Sequence, residues 1–480
     1  MYIGGLDIGT TGCKIVLFDE CGRQVKTAYR EYNIKRNRGF HEVDIDAVYS
    51  SVKEVLKETA EFDVGAVGVT SFGETFVILD ECDLPLAPSM LYTDPRGKDE
   101  CEDIINRFGA KELALKTGAM PHEMYSVSKL MWIKNNMPYV FEKAKHILLM
   151  QDFIVYMLTG VCQIDYSLAA RTGAFDIKKK QWIDEIFIYC GIDKKLMSEP
   201  VPSGTSAGKI RPQAAKELGI SENITIVSGC QDQIAALAGA NVLENGRAMD
   251  GIGTVECVPV IMDDVPEDLY IYSCGYSIVP HINGKYACYV LSYAGGASLK
   301  WFRDNISNVS YDEMNKKVSE KPTDLLIMPH FAGAATPYMD TGSRAAVFGL
   351  TFEHDIWDIY KALMEGTSYE IMLNLQKLCN LGINISQIMA TGGGSNSDVW
   401  LQIKADVFGA EISVLDTAEV GAAGTAQIAG KAIGVYGDDI RLAKVKKTFY
   451  PNFEKHFYYL KQLEKYKKIY NASKEVICGE

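Results

Sequence analysis

The sequence predicts an α/β protein of two related domains, on three observations. The opening stretch, MYIGGLDIGTTGCKIVLFD, carries an apolar run (Ile3 to Leu6) into Asp7 and a Gly-Thr-Thr-Gly turn (Gly9 to Gly12), and a second apolar run, Ile15 to Phe18, follows at once. Residues Met249 to Met262, MDGIGTVECVPVIM, repeat the arrangement, with an Asp ahead of Gly-x-Gly-Thr (Gly251 to Thr254) and a return into Val-Pro-Val. Between and after these stretches, short apolar runs alternate with segments of helical spacing, the pattern of layered strands and helices.

Taken in order, the first element reads as a β-hairpin, two short apolar runs joined by a glycine-containing turn. Its tip offers backbone N–H groups, two hydroxyls and a carboxylate one step before the bend, which suit phosphate oxygens and the divalent metal that accompanies them. Alone, either hairpin reads equally well as ordinary surface. Together they point to two domains, each offering a phosphate loop to a shared cleft. Asp46 is placed to cap a helix whose apolar face is Val48, Val52, Val55 and Leu56. Val64 to Thr70 is a near-continuous apolar run, as in a strand buried on both faces. Ile147 to Met150 reads as strand and Gln151 to Leu158 as helix. Ile224 to Val227 is a further buried strand; it ends in Ser228-Gly229-Cys230-Gln231-Asp232-Gln233, ahead of a small-residue helix, Ile234 to Ala240. The polar turn Leu243-Glu244-Asn245-Gly246 marks the division, giving a first domain of residues 1–243.

In the second domain, residues 244–440, Leu325 to Met328 reads as strand, and Ile356 to Leu378 as a helix with Ile359, Leu363, Ile371 and Leu375 on its apolar side. Ile388 to Ala390 is a short strand running into Thr391-Gly392-Gly393-Gly394-Ser395-Asn396 and a helix with Val399, Ile403 and Val407. Residues 441–480 close the chain; after Pro451 a basic, aromatic segment with Phe453, Phe457, Leu460 and Leu463 reads as an amphipathic packing helix.

Composition narrows the function. The 480 residues are 47% hydrophobic and 23% charged, enough for a sizeable core. A net charge of −13 argues against a nucleic-acid or anionic-membrane surface, but not against ATP held by backbone amides and magnesium. Twelve cysteines without a C-x-x-C pair read as reduced thiols of a cytoplasmic protein, with no zinc site. Cys230 reads as a small core residue. The apolar stretch Val420 to Tyr436 is interrupted by Gln427 and Lys431, so no membrane span is expected.

Three further constellations bear on chemistry. Asp232 lies between a buried strand and a helix start, where parallel sheets place ligands and where phosphoryl transfer wants a carboxylate to accept the hydroxyl proton; helix capping explains it equally well locally. Gly392-Gly393-Gly394 permits close approach of a nucleoside at a helix start, against a simple tight turn. It is neither G-x-G-x-x-G nor a Walker A loop, which disfavours a dehydrogenase and a P-loop enzyme. Ser71-Phe72-Gly73-Glu74 and Tyr92-Thr93-Asp94-Pro95-Arg96 follow the Val64 strand, and Glu74, Asp94 and Arg96 can meet a polyhydroxylated substrate or simply be solvated charge.

The chain resembles the FGGY family of carbohydrate kinases from end to end. Asp7 to Lys14 is similar to that family's first phosphate hairpin, and Tyr92 to Arg96 to its W-x-D-x-R segment, with Tyr for Trp. Gly229 to Gly239, GCQDQIAALAG, resembles the stretch that bears the catalytic aspartate, which falls on Asp232. Gly253-Thr254 resembles the second phosphate loop, and Ala294 to Trp301 the G-A-S-x-x-W segment. Pro337 to Asp340 with Arg344 to Leu350 resembles the second family motif, with Ala345 where glycine is usual, and Gly392 to Ser397 resembles the adenosine loop.

The resemblance implies two actin-like (ribonuclease H-like) domains flanking an ATP/sugar cleft that closes on substrate. It implies a sugar or polyol kinase with Asp232 as general base, a substrate set of Glu74, Asp94, Arg96, Tyr125, Asp232 and Gln233, and Asp7 at the metal. For ATP it implies Gly9, Thr10, Thr11 and Lys14 on one side and Gly253, Thr254, Gly296, Lys300, Gly393, Gly394 and Ser397 on the other. ATP and Mg²⁺ are the expected cofactors, and a homodimer stays open. Phe72-Gly73-Glu74 replaces the Met-His-Gly usual in xylulokinases, while Glu74 and Asp232-Gln233 match glycerol kinases and Asp94 and Arg96 lean toward ketopentose kinases. The reading favours a ketopentose such as xylulose, over glycerol or another polyol. From another class, a non-transferring actin-like ATPase or sensor predicts loss of the base, and Asp232 is present.

Overall fold

In a computed structural model, which describes residues 1–37 and 39–478, the chain forms two compact units. One comprises Met1–Asn241, Val279–Tyr286 and Glu419–Ala443; the other comprises Val242–Ile278, Ala287–Ala418 and Lys444–Glu480.

The first unit is built on a six-stranded sheet in the order Thr205–Lys209, Thr225–Gln231, Val64–Ser71, Tyr2–Ile8, Gly12–Asp19, Gln24–Glu31. Tyr2–Ile8 and Gly12–Asp19 form the hairpin, with Asp7 opposite Lys14. Val64–Ser71 runs parallel to both Tyr2–Ile8 and Thr225–Gln231 and is buried at every residue but Gly65, which is why its sequence is apolar without alternation. One face packs on the helices Ile45–Lys57 and Met150–Thr159. Val48, Val52, Val55 and Leu56 are buried as their spacing predicts, but the cap is Asp44, whose side chain accepts from the Ala47 N–H. Asp46 sits in the first turn instead, where a carboxylate complements the helix dipole. The opposite face, with Ile3, Val16, Ala66 and Val227, is covered by alanines of the helix Val420–Ala432. That helix approaches so closely that a Cβ on Gly5 would lie 1.9 Å from the Ala422 carbonyl oxygen.

The second unit repeats the pattern. In its seven-stranded sheet Glu256–Met262, Arg247–Ile252, Gln387–Thr391, Glu411–Leu415 and Val445–Phe449 are successive neighbours. A hairpin is again followed by two parallel strands and an antiparallel closing strand. The repeated hairpin in the sequence thus reports a repeated topology.

Two helices differ from expectation. Ile356–Cys379 is buried on all sides over most of its length rather than along one stripe. Its inward charges are paired: Glu365 accepts from the Tyr459 hydroxyl at 2.8 Å, and Glu370 from Tyr466 at 2.6 Å. Those tyrosines set the packed face of Phe453–Tyr466, which buries Tyr459, Gln462, Leu463 and Tyr466 and leaves Phe453 and Phe457 exposed. A phenol buries a large ring while its hydroxyl satisfies a buried carboxylate, which phenylalanine cannot do. Among the described residues no helix is long and apolar enough to cross a membrane.

Candidate active site

Three adjacent parallel strands of the first unit end level with one another. Asp7 is in register with Thr70, Ile8 with Ser71, and Ser71 with Gln231. Asp7, Phe72 and Asp232 therefore emerge at one sheet edge, the edge at which open α/β sheets bind ligands. Asp232 is the first residue of the helix Asp232–Gly239 and not its cap, since Gln231 holds the cap position. The Asp232 Oδ1 accepts from the Gln231 side-chain amide at 2.5 Å and from the Gln233 N–H at 2.7 Å. Burial, reinforced by the charges of Asp7 and Glu74, pushes its carboxyl up to about 7 against the opposing pull of Arg171. Gln231 is itself fixed by its N–H, which donates to the Ser167 hydroxyl at 2.8 Å; Ser167 in turn bonds Asp165.

Glu74 faces this carboxyl from the loop after Val64–Ser71. Its φ of 65° is in the left-handed region, sparsely populated for a residue with a side chain. The Ser126 hydroxyl holds the strained turn by donating to the Glu74 carbonyl at 2.6 Å. The Glu74 carboxylate is paired with Arg171, whose Nε lies 2.5 Å from Oε1. The Arg171 guanidinium lies 5.1 Å from the centre of the Tyr125 ring. Its stem crosses Gly73, where a Cβ would come within 2.9 Å of it. Tyr92, 43% exposed, has its hydroxyl pKa raised by burial and by Glu74 and Asp232, which places it on the same rim.

Asp94 and Arg96 are placed otherwise than the sequence suggests. They are buried against each other, with Arg96 Nε 2.8 Å from Asp94 Oδ1 and its terminal nitrogen 2.7 Å from Oδ2. Asp94 also accepts the His41 N–H, and Arg96 reaches Glu42 at 2.7 Å and covers the Phe40 ring at 4.3 Å. The acceptors a sugar hydroxyl would use are occupied. This pair clamps the loop that carries Tyr92.

At the hairpin tip, the Gly9 N–H donates to the Gly12 carbonyl at 2.9 Å, and Tyr32 donates to the Gly9 carbonyl at 2.5 Å. Lys14 is bound to Glu419 at 2.5 Å. The Asp7 carboxylate faces Gly421, where a Cβ would lie 3.1 Å from it. Burial pushes Asp7 up to about 6, with Lys14 opposing and Glu419 assisting. Cys230 is fully buried and its thiol is pushed well above the ordinary range, as befits a core residue.

The second unit carries an open cavity of about 970 Å³ lined by Gly253, Thr254, Gly296, Lys300, Gly393, Gly394 and Ser397, among others. The Gly296 N–H donates to the Gly253 carbonyl at 2.8 Å and the Ala297 N–H to that of Thr254 at 3.1 Å, so hairpin tip and helix Gly296–Phe302 form one wall. Gly392 has φ 83° and abuts the Ile252 carbonyl, whereas nothing lies within 4 Å of a Cβ on Gly393. A short 3₁₀ turn, Gly393–Asn396, precedes the next helix, Asp398–Phe408, which Ser397 caps by accepting from Trp400 N–H at 3.3 Å. Lys300 is paired with Asp304 at 2.5 Å.

The structure thus brings Asp7, Glu74, Tyr125, Asp232 and Gln233 into the first unit with Gly9, Thr10, Thr11 and Lys14, and the seven other residues that the resemblance implies for ATP to one cavity in the second. Sequence reasoning missed Arg171, Gln231 and Glu419. Arg171 had one signal, a lone cation between a small-residue stretch and Thr172-Gly173. Glu419 had none, because its partner Lys14 lies 405 residues away.

Comparison with known proteins finds relatives that span nearly the whole chain. The family model described as FGGY family of carbohydrate kinases, N-terminal domain, matches residues 2–239, and its C-terminal counterpart matches residues 272–433. The chain is 28% identical over 439 residues to a xylulose kinase of Staphylococcus xylosus, covering 89% of this chain and 90% of that protein. It is also 28% identical over 449 residues to a gluconokinase of Bacillus subtilis (strain 168), covering 87% and 85%. A crystal structure of ligand-bound xylulose kinase from Lactobacillus acidophilus superposes with a TM-score of 0.89 at 25% identity, covering 98% of each chain.

Proposed function

The chain belongs to the FGGY family of carbohydrate kinases and is an ATP-dependent sugar kinase, and from that premise we propose that it phosphorylates a neutral ketopentose, with xylulose as the leading candidate. The observation that carries the proposal is the setting of Asp232. A carboxyl with a pKa near 7 is matched to accepting a proton at neutral pH. Both recorded bonds to it go to Oδ1, which leaves Oδ2 for a substrate hydroxyl. Phosphoryl transfer asks little covalent chemistry of the protein; it asks that the hydroxyl be oriented, its proton accepted and the phosphate charge neutralised.

The surrounding charges support a neutral substrate. Asp7, Glu74 and Asp232 share one rim, and its guanidinium, Arg171, is already paired with Glu74. An aldonate such as gluconate would bring a further carboxylate among these. A neutral ketose instead offers hydroxyls to Glu74, Tyr125, Asp232 and Gln233, while Asp94 and Arg96 hold the loop beside them. A polyol such as glycerol is the second reading, favoured by Glu74, whose carboxylate can accept from neighbouring hydroxyls.

In the first unit the Gly9–Gly12 tip with Lys14 offers groups for phosphate; in the second, the cavity offers Gly253, Thr254 and Gly296 for phosphate and Gly393 and Gly394 for the nucleoside. The donor set at the first hairpin fits magnesium, which prefers few carboxylates and keeps several waters. Asp7 would hold the ion, directly or through water, and the ion would supply neutralisation of phosphate charge. A coupled ADP-release screen over ketopentoses, ketohexoses, pentitols, glycerol and gluconate tests the proposal. Turnover should be highest with a ketopentose and negligible with gluconate; preference for gluconate would refute it.

A further inference from the structure

Beneath the second phosphate loop lies a group of charges that the mechanism does not use. Asp250 and Glu256 flank the hairpin tip, one on each strand, and Lys404 comes up from the helix Asp398–Phe408. The Lys404 ammonium is 2.9 Å from Asp250 Oδ2 and is also bonded to Glu256 Oε1, and all three side chains are wholly buried. Burial alone would drive the ammonium to lose its proton, but the two carboxyls reverse this and raise its pKa. Burial and the neighbouring Asp250 hold a proton on Glu256.

Such a cluster is a poor way to gain stability. Well-packed apolar side chains of similar volume often do as well or better, so a buried ion group is better explained by the arrangement it enforces. Here the arrangement is specific. The tip residues Gly253 and Thr254 have little side chain with which to define their own conformation, and their carbonyls accept the N–H groups of Gly296 and Ala297. Lys404 also lies 5.3 Å from the centre of the Trp400 ring. That ring supports Gly394, where a Cβ would come within 2.9 Å of it. One cation therefore ties down the hairpin tip, the helix hung from it and the glycine loop, three walls of one cavity.

We propose that Lys404 is a positioning residue for the nucleotide, fixing the Gly253-Thr254 and Gly393-Gly394 loops relative to each other through Asp250, Glu256 and Trp400. The inference rests on the assignment of this cavity to ATP. It is tested with Lys404→Met and, because that variant leaves Asp250 buried and unpaired, with Asp250→Asn/Lys404→Met, which removes both charges. ATP affinity is read by titration calorimetry without sugar, and KM is measured separately for ATP and for sugar. The double variant should fold, and its Kd and KM for ATP should rise about 10- to 100-fold, as misplaced binding groups cost. The KM for sugar should change less than about twofold, as expected of independent sites. Wild-type ATP affinity in the folded double variant, an equal loss for sugar and ATP, or failure of both Lys404 variants to fold would each overturn the proposal. Absence of ATP binding by the wild-type protein would instead refute the assignment of the cavity.

Discussion

Asp7 and Asp232 leave the ends of two strands, Tyr2–Ile8 and Thr225–Gln231, separated by the single strand Val64–Ser71, and the charge of Asp7 adds to burial in holding a proton on Asp232 up to about 7. As the proposed base, Asp232 must lose that proton to work. The rate at limiting sugar should therefore rise with pH through about 7 and level off above it. Asp7→Asn removes one of the two repelling carboxylates, so the acid limb should move to lower pH. Profiles of kcat/KM at saturating magnesium check this, and a limb that stays fixed or moves upward contradicts the coupling.

Asp232→Asn should keep the fold and ATP binding while turnover falls by about 10²–10⁴, the usual worth of general acid–base catalysis. Its stability should respond to pH in a definite direction. A carboxyl whose folded pKa is raised binds more protons folded than unfolded, so stability declines as pH rises from its ordinary 3.8 toward about 7. Asparagine removes that loss. The melting temperature of the variant should gain on wild type between pH 4 and pH 8, and a constant difference would show that burial does not penalise the charge.

Asp7→Ala should raise the magnesium concentration needed for half-maximal rate, because it removes the carboxylate proposed to hold the ion and leaves the Lys14–Glu419 pair beside it intact. Magnesium titrations at fixed ATP measure the shift. An unchanged requirement would remove Asp7 from the metal.

The sequence disclosed most where chemistry forces a local pattern. A glycine-threonine tip behind an apolar strand is visible in a dozen residues, so the two hairpins that carry Asp7, Gly253 and Thr254 could be found without a structure. Asp232 follows a buried strand at a helix start, which capping explains equally well locally; the resemblance of GCQDQIAALAG to the FGGY family singled it out as the candidate base. What stayed hidden depends on partners distant in the chain. Asp94 and Arg96 read as substrate groups because their mutual clamp and the contacts to His41 and Glu42 exist only after folding. Phe453 and Phe457 read as a packed face because apolar spacing cannot show that Glu365 and Glu370 wait for tyrosines. Arg171 was overlooked because its role is set by Glu74, 97 residues away.

Glu74→Ala should impair sugar binding and leave sugar-independent ATP binding unchanged. It removes an acceptor from the rim and leaves Arg171 without that carboxylate. A site built to bond particular hydroxyls also rejects analogues that lack one, because its own polar groups are then stranded. Separate titrations with sugar and with nucleotide distinguish the outcomes. Weakened ATP binding with intact sugar binding would reverse the assignment of Glu74.

Gly424→Ala should destabilise the protein and slow it, against the ordinary rule. In an exposed helix this change gains roughly 1 kcal/mol of helix propensity. Here Gly424 lies within Val420–Ala432 where that helix meets Asp232–Gly239, and a Cβ would stand 1.9 Å from the Ala235 carbonyl oxygen and 2.6 Å from the Gly239 nitrogen. Both obstacles are backbone, so relief requires moving a helix. Overpacking of this kind costs about 1–3 kcal/mol and sometimes more, which outweighs the propensity gain. The helix that must move begins at Asp232, so the proposed base shifts with it and kcat should fall along with the melting temperature. A variant that melts at or above the wild-type temperature with full turnover would show that the two helices have room to part without disturbing the site.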